Sequence, residues 1–168
     1  AAALGARAVD LRAKLLGDDA PAVGASLHAL GQALAKGGDL AGAEAALDRA
    51  VRVRERAFGC GHLKVAASLR GLGRVRLLAR DFSGAEAAFR RDVAISEQKL
   101  GDDHPDCAAR YNNYAMLLWR LGRPTEAAPF QRKALNIKRS LGRDGAAATY
   151  EAELDGMLDG APYPAGAA

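Results

Sequence analysis

The chain has 168 residues, 24 Lys and Arg against 20 Asp and Glu for a formal charge of +4, and 49% apolar but only 5% aromatic residues. This is room for one domain or a short run of repeats, and with alanine dominating the apolar set a core must rely on close helix approach rather than bulky anchors. Two cysteines, Cys60 and Cys107, exclude a disulfide scaffold and point to a reduced, cytoplasmic setting; no stretch is long and apolar enough to cross a bilayer, and no signal-peptide pattern is present.

Residues 1–19 predict a helix from Ala1 to Leu16, closed by Gly17-Asp18-Asp19. It reads as the second helix of a pair whose first is missing, so the chain is expected to be an excerpt that begins inside a repeat. Residues 20–60 predict a helix pair: Leu27, Leu30, Gly31 and Leu34 face inward, Gly37-Gly38 turns the chain, and Asp39 caps a second helix whose Ala43, Leu47, Ala50 and Val53 face the core. Residues 61–102 repeat this with Leu69, Leu72, Gly73, Phe82, Ala85, Phe89 and Ile95. There Arg76 stands where a large apolar residue is expected and Asp92 where a small one is. A buried unpaired charge is costly, so both are expected to pair or to reach solvent.

Residues 103–143 predict the third pair. Tyr111, Tyr114, Ala115, Leu118 and Leu121 recur at i, i+3, i+4, i+7 and i+10 on one helical stripe. Gly122 is expected in the left-handed conformation, with Pro124 in the next first turn, and Ala127, Phe130, Ala134, Ile137 and Leu141 form the second stripe. Pro129 is expected to remove one backbone bond and kink that helix early. Residues 144–159 predict a capping helix that covers the last stripe with Tyr150, Leu154, Met157 and Leu158 and turns Glu151, Glu153, Asp155 and Asp159 to solvent. Residues 160–168, with Pro162 and Pro164, read as a disordered tail.

The three pairs are copies of one another. A shift of forty-two residues aligns Leu16-Gly17 with Phe58-Gly59 and Leu100-Gly101, Leu27 with Leu69 and Tyr111, Leu30 with Leu72 and Tyr114, and Ala43 with Ala85 and Ala127. A repeated helix pair whose stripes cannot bury each other alone stacks into an all-α solenoid. The order of large and small residues resembles the tetratricopeptide repeat in three units, Pro21 to Phe58, Leu63 to Leu100 and Pro105 to Leu141, each longer than the usual repeat of about thirty-four residues. The longer unit, the Leu-Gly-Asp-Asp-His-Pro-Asp-Cys-Ala junction from Leu100 to Ala108 and the Tyr-Asn-Asn-Tyr-Ala run at Tyr111 to Ala115 are similar to repeats of kinesin light chains and nephrocystin-type proteins.

That resemblance implies a right-handed superhelix of antiparallel helix pairs, without enzymatic activity, whose first helices line a concave surface. Carried over by position, it names His28 and Gln32, Arg70 and Arg74, and Asn112, Asn113 and Met116 as peptide-binding residues, with Trp119 and Arg120 close by. It further implies that the paired asparagines hold a partner's backbone amides; an Asn side chain both donates and accepts. The forked guanidinium groups of Arg70 and Arg74 suit carboxylates, so the expected partner is an acidic peptide or helix. The first two units carry Leu27-His28-Ala29-Leu30 and Leu69-Arg70-Gly71-Leu72 in place of the paired asparagines.

Other chemistries fare less well. Cys60, His62, His104 and Cys107 offer zinc-type ligands, but His62 and His104 are equivalent positions of successive units. Helices pack roughly 8 to 10 Å apart, whereas zinc ligands converge within about 2.3 Å. Both histidines therefore read as helix starts, and Cys107 as a small buried residue. No hydroxyl, His and carboxylate fall at triad-like positions, and no Gly-rich loop joins a strand to a helix. No cofactor or metal is expected. A regulatory sensor array belonging to a larger signalling ATPase or transcription regulator is the alternative reading. Nucleic-acid binding is disfavoured because the arginines are interleaved with acids, and self-association end to end through the open first helix is expected.

Overall fold

Most helices in this chain begin at Pro, Asp or His. The computed structural model describes residues 2–142 and 144–164, apart from the side chains of Asp144 and Ala146, and contains no strand among them. Its helices are α1 (Ala2–Leu16), α2 (Pro21–Lys36), α3 (Leu40–Phe58), α4 (Leu63–Leu78), α5 (Phe82–Leu100), α6 (Pro105–Arg120), α7 (Pro124–Ser140) and α8 (Asp144–Leu158). Pro21, Pro105 and Pro124 stand in first turns, where a missing N–H removes no helical bond. Asp39 accepts from the Gly42 N–H at 2.9 Å, and Asp81 from that of Gly84 at 3.0 Å. The Nδ1 atoms of His62 and His104 accept from the Lys64 and Asp106 N–H groups at 3.0 and 3.1 Å, the helix-start role expected of them.

Turns carry the repeat as clearly as the helices do. Gly17, Gly59 and Gly101 follow successive second helices with φ of 87°, 83° and 82°. In that left-handed region a Cβ costs about 1–2 kcal/mol. Within the pairs the equivalent place is held by Gly38, Arg80 and Gly122, so Arg80, at φ 63°, adopts a conformation that its neighbours in register reach with glycine.

The chain forms two units, Ala1–Ile95 and Ser96–Ala168. In the first, Val9 of α1, Val23 and Leu27 of α2, and Ala50 and Val53 of α3 form one buried cluster. Ala43, Leu47 and Val51 of α3 join Val65, Ala66, Leu69, Leu72 and Val75 of α4 and Ile95 of α5 in another. Small residues set the spacing: a Cβ on Gly31 would stand 2.6 Å from Leu47 Cγ, and one on Gly73 2.7 Å from the Phe89 ring. Only glycine permits these approaches. Arg76 pairs, as its position required, with Glu44 at 2.9 Å and Asp81 at 3.7 Å; Asp92 is buried and engaged. The outer face of α1 stays open, with Leu4 72% and Leu15 73% exposed.

The first-helix stripe is aromatic in the second unit where it is aliphatic in the first. Phe130 of α7 meets the Tyr114 ring edge-on, centroids 4.9 Å apart, and lies 6.2 Å from Tyr111. Tyr111 is wholly buried, and its hydroxyl donates to Glu97 Oε1 at 2.9 Å and toward the Asp102 carbonyl at 3.3 Å. Burial and Glu97 hold that phenol far above its ordinary range. Lys133 Nζ donates to the same Glu97 carboxylate at 2.8 Å, which holds the ammonium above its usual value. α7 is one helix from Pro124 to Ser140 with Pro129 inside it. Cys107 is buried, its Sγ 3.4 Å from the Gly101 carbonyl.

α8 covers α7 with Ala147, Leu154 and Met157. Two expectations for this helix need correction. Leu158, the last residue of the helix, is 56% exposed. Glu153 faces α7 rather than solvent: the buried Gln131 donates to it at 2.6 Å, and burial raises the Glu153 carboxyl above its ordinary value. No helix of the described residues is long and apolar enough to cross a membrane.

Candidate functional site

Residues four apart on a helix share a face, so His28 and Gln32 of α2, Arg70 and Arg74 of α4, and Asn112 and Met116 of α6 each form a short ladder. In the first unit one residue of each of two ladders, Gln32 of α2 and Arg74 of α4, lines a groove of about 430 Å³, and His28 and Arg70 are not among its lining residues. Its floor is apolar, from Ala35 of α2, Leu47 of α3, and Val75 and Leu78 of α4, and Gly71 leaves room beside Leu47. Gln32, Lys36 and Arg74 supply the polar lining, and no carboxylate is among the lining residues. Elsewhere on the unit cations are committed to acids: Arg49 to Asp18, Arg56 to Asp19, Arg76 to Glu44 and Arg91 to Glu55. Lys36 and Arg74 have no such partner among the described residues.

His28 is not an open groove residue of the kind expected. It is half-buried, and a polar chain runs through it: Arg54 Nη1 donates to Ser68 Oγ at 2.7 Å and to the Lys64 carbonyl at 2.8 Å, Ser68 Oγ lies 3.4 Å from His28 Nδ1, and Gln32 Nε2 lies 3.1 Å from His28 Nε2. Burial first, then the charges of Arg54 and Arg70, push the imidazole down to about 4, so the ring is neutral near pH 7. A neutral ring that accepts from Gln32 at Nε2 carries its proton on Nδ1 and donates to Ser68. It accepts from Gln32, while Arg54, which the sequence did not single out, is buried and lowered by desolvation. Sequence alone offered no signal for Arg54 beyond a charged residue at a helical core spacing.

On α6 in the second unit, Asn112, Asn113 and Met116 are half-buried. Asn112 Oδ1 is enclosed with no hydrogen-bond donor on it, an acceptor whose desolvation is uncompensated. Trp119, one turn beyond Met116 on the same face, is 4% exposed. Its indole N–H donates to the Ala161 carbonyl at 2.7 Å, the Tyr163 ring meets it edge-on at 5.5 Å, and the Arg120 guanidinium stands 5.5 Å from the Tyr163 centroid. The segment expected to be a disordered tail therefore packs on α6 through Ala161 and Tyr163; its last residues, 165–168, lie outside the described residues. Tyr163 between two prolines was the available signal: an aromatic on a stiffened segment is built to dock.

His62 and His104 are occupied as caps, Cys60 is exposed and Cys107 buried. Among the described residues no group of three or more His, Cys, Asp or Glu is placed to hold a metal ion.

Comparison with solved structures finds the same fold in kinesin light chain-like proteins. The nearly identical TPR-like repeats of such a protein from Podosopora anserina superpose with a TM-score of 0.74 at 22% identity, covering 95% of this chain and 82% of that one; a single-residue variant of it gives 0.75. BtubC (BKLC) from P. vanneervenii superposes at 0.75 and 19% identity, covering 94% of this chain and 68% of that one. Comparison with curated proteins finds no match. The family model for the tetratricopeptide repeat matches residues 34–98 and 93–140, more than half of the sequence. With helix pairs in a forty-two-residue register, packed through Gly31 and Gly73 and punctuated at Gly17, Gly59 and Gly101, the chain belongs to the tetratricopeptide repeat family.

Proposed function

We propose that this chain is a non-enzymatic interaction module that takes an acidic peptide or an exposed acidic helix on the faces of its first helices. Tetratricopeptide repeats generally serve as protein–protein interaction scaffolds, and the finer reading rests on one observation: Lys36 and Arg74 stand without acidic partners at an apolar groove that has no carboxylate of its own. Apolar side chains of a partner would cover Ala35, Leu47, Val75 and Leu78, at about 25 cal/mol per Å² buried. Its carboxylates would meet Arg74, Lys36 and Arg70, with the forked guanidinium groups giving direction as well as charge. Gln32, held by neutral His28, supplies a fixed amide. Asn112, Asn113 and Met116 play the corresponding part on α6.

The test is a titration with fluorescently labelled acidic peptides carrying leucines, against the chain and its Arg70→Glu/Arg74→Glu variant. Binding is expected to weaken several-fold between low and physiological salt, where the screening length falls to about 8 Å. It is expected to drop by at least about tenfold in the variant. Equal binding by both proteins would remove the groove from consideration.

A further inference from the structure

The register that relates the helix pairs also relates their surfaces. Ala35 and Lys36, which line the first-unit groove, align with Leu77 and Leu78 of α4 and with Trp119 and Arg120 of α6. At Ala35, Lys36 and Leu78 the position is an open groove. At Trp119 and Arg120 it is filled, within the second unit, by the chain's own residues after α8.

The manner of filling is that of a bound peptide. After Gly160 the backbone runs without helix through Ala161-Pro162-Tyr163-Pro164. It offers a carbonyl to the indole N–H and a ring to the indole edge, while Arg120 faces that ring. Gly156 of α8 lets the indole in: a Cβ there would stand 3.0 Å from Trp119 Cη2. Within α8 the buried residues are Ala147, Leu154 and Met157. Pro162 and Pro164 are exposed, and Ala161 and Tyr163 only half-buried. Prolines hold the segment extended before it docks, so little backbone freedom is lost when it does.

We propose that Trp119 and Arg120 form a peptide subsite for an extended, uncharged aromatic–proline segment, filled in cis by Ala161–Tyr163 and open to a partner's segment of the same kind only when the cis segment leaves. The subsite differs in chemistry from the acidic-peptide groove of the first unit, and rests on that reading only in treating the first-helix faces as binding faces. The cis segment is held by the indole hydrogen bond, the aromatic pair, the Arg120 contact and the Ala161 N–H, which donates to the Gly156 carbonyl at 2.9 Å.

Trp119 is the single tryptophan of the chain, so its emission reports this contact alone. Tyr163→Ala in the full chain is expected to shift that emission to longer wavelength and to raise acrylamide quenching several-fold with unchanged far-UV circular dichroism. The free peptide Gly-Ala-Pro-Tyr-Pro, added to the variant at millimolar concentration, is expected to reverse both changes saturably. Gly-Ala-Pro-Ala-Pro is expected to do nothing, and the parent chain to respond to the tyrosine peptide about tenfold more weakly because the cis segment competes. Replacing Pro162 and Pro164 by glycine provides a second variant that loosens the segment without altering the platform. A Trp119 that stays shielded in both variants, or exposure that the tyrosine peptide cannot reverse, would make the contact a fixed cap and overturn the proposal. Neither arm uses an acidic peptide: failure of the groove reading leaves this result standing, and failure here leaves the groove.

Discussion

The two units build the same helix pair from different materials. In the first, Leu69, Leu72 and Gly73 occupy the positions that Tyr111, Tyr114 and Ala115 hold in the second. Aliphatic side chains and glycine bring helices together without any polar obligation. The tyrosines fill more space but carry a hydroxyl inward, and Tyr111 requires Glu97, Asp102 and Lys133 to satisfy and neutralise what it buries. The surfaces diverge in parallel: the first unit leaves Lys36 and Arg74 beside an open groove, while the second sets Trp119 and Arg120 against its own Tyr163. A repeat can thus hold its backbone register constant while position-by-position substitution changes core chemistry and binding chemistry independently.

Truncating the anchor residue of each unit tests the difference most severely. Tyr111→Ala removes a wholly buried ring and its hydrogen bond to Glu97, and is expected to cost about 3–5 kcal/mol, read from the urea midpoint of Trp119 emission. Its counterpart Leu69→Ala is expected to cost about 2–3 kcal/mol by circular dichroism; a larger loss at Leu69 would reverse the ranking of the two cores. The spacing device comes next. Gly73→Val drives a branched side chain into Phe89 and is expected to cost about 1–3 kcal/mol, whereas Ala115, the same position in the second unit, already carries a Cβ there. Comparable tolerance of valine at both sites would show that close approach is not particular to the first unit.

A pH dependence should also separate the units. The His28 ring titrates near 4 when folded and near 6.5 when unfolded, so between those values the unfolded chain binds more protons. Stability from this group is fully present above about pH 6.5 and is lost as the pH falls toward 4. For a half-buried ring screened by solvent, the loss from pH 7 to 5 is expected to be on the order of 1 kcal/mol, and His28→Gln is expected to abolish it. An unchanged pH slope in that variant would place the proton elsewhere. The smallest effect is at Arg80, the left-handed position that Gly38 and Gly122 hold elsewhere. Arg80→Gly should stabilise by about 0.5–1 kcal/mol, the relief of strain less the added freedom of the unfolded chain.

Most of the framework was legible in the residues themselves. Pro21, Pro105 and Pro124, the caps Asp39, His62 and His104, and the left-handed Gly122 are local signals that act within a turn or two of their own position. The candidate residues came from the family resemblance, and spacing adds only that Arg70 with Arg74, and Asn112 with Met116, share a helical face. Local rules were less informative for Glu153 and Leu158, whose surroundings depend on where α8 ends relative to α7.

By itself, then, the sequence determined the helix pairs and their forty-two-residue register, because periodicity and capping are settled among near neighbours in the chain. Which groups actually meet was decided only in three dimensions. Ser68 and His28 are 40 residues apart, and Trp119 and Ala161 are 42 apart. Neither pair follows a helical spacing or a cap rule, and each contact exists because packing brings two distant elements together and leaves a donor facing an acceptor.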